Sequence, residues 1–155
     1  LPSLLERAGT HEGPGSITGF YTVLVEGDDA SDPIADAIRA IVDGHIVLSR
    51  SIAEKGIFPA VDLLSSTSRV MVNVVGETHL ELNQILRRTL ATYREAEDLI
   101  NIGAYVQGSN PEIDYAISKY PLIQNFIQQG MNEQTALNEC VDRLQQIFGD
   151  RLEGN

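Results

Sequence analysis

The pattern of hydrophobic and polar positions changes character midway along the chain. Residues 16–25 carry apolar side chains on both alternating faces, which is typical of a strand covered on two sides. Asp32 and Pro33 predict the N-cap and first residue of a helix that ends near Gly44. Short elements are predicted farther along, with a strand at 45–49, a helical turn at 50–55, a strand at 61–64 and a hydroxyl-rich loop at 65–68. Such alternation of strand and helix predicts a parallel sheet.

From residue 77 the apolar positions follow a helical period. One long amphipathic helix is predicted from its recurring side chains, Leu82, Leu86, Tyr93, Ala96 and Ile100. Shorter helices are predicted at 111–118 and 121–130, separated at Pro121, and a last helix starts at Asn132 and ends before Gly149. The second half is therefore predicted to be all helical, with domains at 1–75 and 76–155.

Composition restricts the class of partner. The 155 residues are 43% hydrophobic, which is enough to bury a core. There are 22 acidic and 11 basic side chains, and the basic ones are scattered, which argues against nucleic acid as a partner. No apolar run approaches the length of a membrane span, and the single Cys140 cannot form an internal disulfide. We therefore expect a cytosolic protein that meets a membrane only through its partners.

The residues alone give little sign of chemistry. No histidine has a second ligand at zinc-like spacing, so no metal site is predicted. The sequence contains no phosphate-binding G-x-x-x-x-G-K-[ST] motif, no nucleophile elbow and no C-x-x-C pair. The acidic stretch at 26–32 does not have the spacing of a calcium loop and is more typical of a solvated loop.

Several stretches share their order and spacing with one known family. They are 16–29 (SITGFYTVLVEGDD), 32–36 (DPIAD), 48–50 (LSR), 58–62 (FPAVD), 66–71 (STSRVM), 93–105 (YREAEDLINIGAY), 108–109 (GS) and 114–117 (DYAI). The stretches before residue 72 resemble the rotary ATPase catalytic domain just after its second nucleotide motif. The later ones resemble the flagellar and type III secretion branch, and the form NIGAY at 101–105 favours the flagellar members.

The resemblance implies both a fold and a function. The fold would be the C-terminal part of a RecA-like parallel-sheet nucleotide-binding domain, followed by an all-α helical domain. The full-length protein would be an ATP-hydrolysing motor of flagellar type III protein export, a cytoplasmic homohexamer at the export gate of the inner membrane. Its partners would be a coiled-coil central stalk protein, a peripheral stalk or regulator protein, and export chaperones and substrates.

The resemblance also assigns roles to individual residues. Arg69 matches the arginine finger that reaches across a subunit boundary to the γ-phosphate of ATP. Phe58 matches the aromatic that lies against adenine, and Met131 stands where ATP-synthase relatives have a second aromatic. The part of the hexamer that faces the central channel and stalk would contain Asp28, Asp29 and Asp32. Without the resemblance, Arg69 would be read as solvated, Phe58 as a core aromatic, and the acidic loop as solvated.

The groups that complete the chemistry have no match in this sequence. The family's phosphate loop with its lysine, the glutamate that activates water and the aspartate that holds magnesium all precede the position matching Leu1. ATP or ADP with Mg²⁺ is therefore expected as cofactor of the full-length protein only. We expect this chain to be a segment of a longer polypeptide, inactive by itself. The alternatives are a virulence secretion or ATP-synthase-type subunit or, for the isolated chain, a non-catalytic module that binds a stalk or chaperone.

Overall fold

The computed structural model describes residues 2–10, 12–25 and 32–152. Two compact units divide the chain between His45 and Ile46. The first contains α1 (Pro2–Leu5), the short antiparallel pair β1 (Gly9–Thr10) and β2 (Ser16–Ile17), and α2 (Pro33–Ile41). The predicted start of α2 is confirmed, since the Asp32 carboxylate accepts hydrogen bonds from the backbone N–H groups of Ile34 and Ala35 at 2.8 and 2.9 Å.

The strand predicted over residues 16–25 is wrong beyond Ile17. Residues 18–25 have no regular secondary structure, and the side chains of Phe20 and Leu24 are 91% and 93% exposed. A strand is held by hydrogen bonds to a neighbouring strand, and no strand of the described residues pairs with this segment. Apolar residues on both faces thus indicate a segment suited to a sheet, but they do not supply its neighbours.

Among its described residues, the second unit combines a short two-stranded sheet with five helices. Strand β3 (Gly44–Leu48) pairs with β4 (Val61–Ser68), and α3 (Arg50–Glu54) connects them. Next come α4 (Met71–Val74), which the pattern did not predict, α5 (Glu77–Asn101), α6 (Pro111–Ile127) and α7 (Leu137–Leu152). The long helix is confirmed, and its 25 residues span about 37 Å. The loop predicted at 65–68 is wrong, because these residues belong to β4.

The core of the second unit lies among its three long helices. Its buried members are Leu82, Leu86, Leu90, Ile123, Leu144, Ile147 and Phe148. Leu63 and Leu64 of β4 are partly buried against this cluster. The helices therefore pack directly against the strand that precedes them in the chain.

The helix break predicted at Pro121 is wrong, because α6 runs through it. Proline removes one backbone N–H and weakens a helix locally. Packing on both sides of the proline offsets that cost, since Tyr120 stacks on Tyr93 with ring centroids 3.6 Å apart and Ile123 is fully buried. The last helix also departs from the prediction, beginning at Leu137 and continuing through Gly149.

Candidate functional site

Phe58 and the turn after α6 line one open cleft, with a volume of about 460 Å³. Phe58 lies in the loop between α3 and β4, and the residue is 58% exposed. The backbone N–H of Gln129 donates to the carbonyl of Phe58 at 3.0 Å and joins the two segments. The lining residues are Gly56, Phe58, Gln128, Gln129, Gly130 and Glu133. An exposed aromatic face over a cleft is suited to a flat ligand.

The turn at 128–133 is held by its own hydrogen bonds. The backbone N–H of Gly130 donates to Glu133 Oε2 at 3.0 Å, and Gln129 Nε2 donates to the carbonyl of Glu133 at 3.2 Å. Met131 is fully exposed and does not line the cleft. The structure thus brings Phe58 together with residues 128–130, but it does not bring Met131 to the same cleft.

Arg69 follows β4 directly and precedes α4. Its side chain is exposed. The strand before it bends at its centre, where the Ser66 hydroxyl donates to the carbonyl of Asp62 at 2.6 Å and accepts from the backbone N–H of Val47 at 3.0 Å. The serine and threonine residues that predicted a loop therefore include one that bonds within the sheet.

Asp62 organises the first half of that bend. Its carboxylate accepts from the backbone N–H of Leu64 at 3.1 Å and from the Ser65 hydroxyl at 2.9 Å, and it pairs with the guanidinium of Arg94 at 2.9 Å. Burial raises the pKa of Asp62, but the Ser65 hydroxyl and Arg94 together outweigh burial and bring the pKa below its ordinary value of 3.8. The carboxylate is therefore charged while the bend is intact.

This charge predicts a dependence of stability on pH. A lowered folded pKa means that the Asp62 carboxylate stabilises the fold above its ordinary pKa of 3.8, and that this stabilisation is lost as the pH falls through the folded pKa. We expect Asp62→Asn to lower the free energy of unfolding by about 1 kcal/mol at neutral pH. The difference from the wild type should disappear once the pH lies below the lowered folded pKa of Asp62.

Urea unfolding followed by circular dichroism at a series of pH values measures this difference. Asp142→Asn, which changes an exposed carboxylate on α7, is the matched control and should leave the pH dependence unchanged. A constant difference between Asp62→Asn and wild type at all pH values would contradict the expectation.

The acidic residues expected at the stalk are only partly described. Asp28 and Asp29 lie outside the described residues. Asp32 is half-buried, and its carboxylate caps α2. The structure therefore gives Asp32 a local role at the start of a helix.

The loop that connects α5 to α6 is held by hydrogen bonds to one carboxylate. The Tyr105 hydroxyl lies 2.9 Å from Asp114 Oδ1, and the backbone N–H of Gly108 donates to Asp114 Oδ2 at 2.9 Å. This loop exposes the apolar side chains of Ile102 and Val106. A single carboxylate thus holds a loop that presents two apolar groups to the outside.

The sequence reasoning missed Arg87 of α5. Its guanidinium donates to the carbonyls of Leu63, Leu64 and Ser66 at 2.6, 2.9 and 3.1 Å. Backbone acceptors leave no mark in a sequence. The available signal was that Arg87 and Arg94 lie seven residues apart, on the same face of a helix.

Two general features of the described ranges limit the kinds of site they could hold. No group of three histidine, cysteine, aspartate or glutamate residues in 2–10, 12–25 and 32–152 could hold a metal ion. Across the same ranges, the structure has no helix with both the length and the apolar character needed to cross a membrane.

Successive parts of the chain match the domains of two protein families. Residues 1–68 match the ATP synthase alpha/beta family, nucleotide-binding domain, and residues 75–146 match the T3SS EscN ATPase C-terminal domain. The flagellum-specific ATP synthase of Bacillus subtilis (strain 168) is 53% identical over 150 residues, covering 97% of this chain and 34% of that protein. The chain thus spans about a third of the length of this relative.

Solved structures show the same likeness. The assembled ATPase EscN from the enteropathogenic E. coli type III secretion system matches with a TM-score of 0.90 and 48% identity, over 94% of this chain and 35% of EscN. EscN in complex with its central stalk EscO matches with a TM-score of 0.83 and 46% identity, over 94% of this chain and 34% of that one. This confirms the predicted fold class, the C-terminal part of a RecA-like nucleotide-binding domain followed by helices.

Proposed function

Since the chain belongs to the family of flagellar and type III secretion ATPases, we propose that it is the C-terminal part of an ATP-hydrolysing motor of flagellar type III protein export. The observation that carries this proposal is the cleft in which Phe58 meets residues 128–130. The flagellar assignment within the family is supported by 53% identity to the Bacillus subtilis protein and by the stretch at 101–105.

The cleft supplies one wall of the adenine site of this subunit. A purine ring can stack on the exposed face of Phe58, while the hydrogen bond from Gln129 to the Phe58 carbonyl keeps the turn beside it. The amide side chains of Gln128 and Gln129 offer donors and acceptors to the edge of the base. Met131 is left out of this wall, because it does not line the cleft.

Replacing Phe58 by alanine in the full-length protein tests the base site. Stacking of a base on an aromatic ring contributes roughly 1–3 kcal/mol, so we expect Phe58→Ala to weaken ADP binding about tenfold. Isothermal titration calorimetry with Mg-ADP measures the dissociation constant. Phe58→Tyr preserves the ring face and is the control, with an expected dissociation constant close to that of the wild type. An unchanged affinity in Phe58→Ala would remove Phe58 from the base site.

Arg69 serves a different site, as an arginine finger for ATP bound to the neighbouring subunit. Its exposed position at the end of β4 supports this role, because a finger must project from its own subunit. A guanidinium is always charged and offers a planar set of donors to phosphate oxygens as charge builds in the transition state. The phosphates and Mg²⁺ would be held by other parts of the full-length protein.

The partners follow from the same family. EscN has been solved in an assembled form and with its central stalk EscO, which supports a homohexamer with a coiled-coil stalk here. The loop that exposes Ile102 and Val106 is suited to such a stalk, as is the acidic segment with Asp28, Asp29 and Asp32. A peripheral stalk or regulator protein and export chaperones and substrates complete the proposed partners. The motor would work in the cytoplasm, at the export gate of the inner membrane.

We also propose that the domain boundary lies between residues 75 and 76. The two family matches support it, since one ends at residue 68 and the other begins at residue 75. Gly76 is the N-cap of α5, so the change from sheet to helices falls at the same place.

A further inference from the structure

We propose that Arg87 is a positioning residue for Arg69, fixing the end of β4 so that Arg69 is presented correctly to the neighbouring subunit. This inference rests on the proposed role of Arg69 as a finger. Arg87 lies on α5, is half-buried, and donates to three carbonyls of β4. The last of these carbonyls belongs to Ser66, three residues before Arg69.

The bend in β4 explains why these carbonyls need a donor. The Asp62 carboxylate accepts a hydrogen bond from the backbone N–H of Leu64, and the Ser66 hydroxyl donates to the carbonyl of Asp62. Because these side-chain contacts bend the chain, the strand departs from regular pairing over residues 62–66. Carbonyls displaced from a regular ladder and partly buried are costly without a partner. Arg87 provides partners for the carbonyls of Leu63, Leu64 and Ser66 together.

The guanidinium is suited to fixing a backbone. It is planar and carries five N–H donors in a rigid arrangement, so bonds to three carbonyls restrain both the position and the direction of the strand. An ammonium group is a compact charge on a flexible stem and restrains direction poorly. Arg87 therefore determines the path of β4 up to the point from which Arg69 projects.

The charge around Arg87 fits this role. Arg94, two turns along the same face of α5, pairs with Asp62 at 2.9 Å and holds the other end of the bend. The acceptors of Arg87 are backbone carbonyls. Loss of Arg87 should therefore loosen the end of β4 near Arg69 while the contact of Arg94 at Asp62 remains.

The test uses full-length protein carrying Arg87→Met or Arg87→Lys, with ATP hydrolysis measured in assembled hexamers. A displacement of about 1 Å at a catalytic group can lower a rate about 100-fold. We expect kcat to fall roughly 10- to 100-fold in Arg87→Met and less in Arg87→Lys, with KM changed less than about twofold. The matched control is Arg88→Met, which removes the same charge from an exposed neighbouring position and should keep the wild-type kcat. A wild-type kcat in both Arg87 variants would overturn the proposal.

Mixed hexamers separate positioning of the finger from general damage. A second full-length variant lacks its own phosphate-binding lysine, so its site is inactive but its Arg69 is intact. In hexamers mixed with Arg87→Met, the lysine variant supplies a correctly positioned Arg69 to the intact nucleotide site of a neighbouring Arg87→Met subunit. The ATPase activity of the mixture should therefore exceed the sum of the activities of the two variants alone. If no activity is recovered, Arg87 acts on its own subunit's site and the proposal is wrong. Arg87→Lys in the same mixture provides this test if Arg87→Met does not assemble.

The same experiment distinguishes failure of this inference from failure of the proposed function. Arg69→Ala is measured alone and in the mixture. A low kcat in Arg69→Ala with a wild-type kcat in Arg87→Met would leave the finger standing and overturn only the positioning role. A wild-type kcat in Arg69→Ala would overturn the finger itself, and the positioning role with it.

Discussion

Full-length protein carrying Arg69→Ala should bind ADP with nearly wild-type affinity but hydrolyse ATP at least about 10³-fold more slowly. Arginine fingers contribute roughly 10³–10⁵ in rate, because they neutralise charge that develops on the transferring phosphoryl group. Arg69 would act on ATP in the neighbouring subunit, so the adenine wall proposed at Phe58 of its own subunit would be untouched. Steady-state hydrolysis with saturating Mg-ATP gives kcat, and titration with ADP gives the affinity.

Two variants sharpen the result for Arg69. Arg69→Lys keeps a positive charge without the planar set of donors, so its kcat should remain well below that of the wild type. Arg88→Ala removes an exposed arginine of α5 and controls for loss of charge. Equal rates for Arg69→Ala and wild type in assembled hexamers would show that Arg69 takes no part in hydrolysis.

Phe148→Ala should lower the free energy of unfolding of the second unit by about 3–5 kcal/mol. Phe148 is fully buried on α7 and belongs to the same cluster as Leu82 of α5 and Ile123 of α6. Truncation removes the buried ring and leaves a cavity where three helices meet. Because typical domains are stable by only about 5–15 kcal/mol, the variant should lose much of its stability. Urea unfolding followed by helical circular dichroism measures the change.

A control on the same helix tests whether burial is the cause. Leu137 opens α7 and is exposed, so Leu137→Ala should change the free energy of unfolding by less than about 0.5 kcal/mol. Similar losses in the two variants would mean that helix propensity, rather than the core, controls stability.

The sequence predicted best those elements whose signals are local. The apolar period of α5 and the Asp32 cap of α2 are properties of neighbouring residues, and both are confirmed. The break at Pro121 and the loop at 65–68 were wrong because contacts from elsewhere in the chain decide them. Tyr93 stacks on Tyr120, the residue before Pro121, and the backbone N–H of Val47 donates to the Ser66 hydroxyl. Such contacts have no signal within the segment itself.

The candidate site divides in the same way. The resemblance pointed to Phe58 and to a segment near residue 131, and the structure places residues 128–130 at the cleft with Phe58. The resemblance could not indicate that Met131 does not line the cleft, because side chains point in different directions at successive residues of a turn. Arg87 was missed because its acceptors are carbonyls, which every residue has.

The contacts of α5 have a practical consequence for engineering. Along one helix, Arg87 holds Ser66, Arg94 holds Asp62, and Glu97 pairs with Lys55 at 2.9 Å. A chimera of two family members joined at residues 75 and 76 would take the helix from one parent and its strand from the other. A junction placed before residue 46 would take α5, β4 and the contacts between them from the same parent.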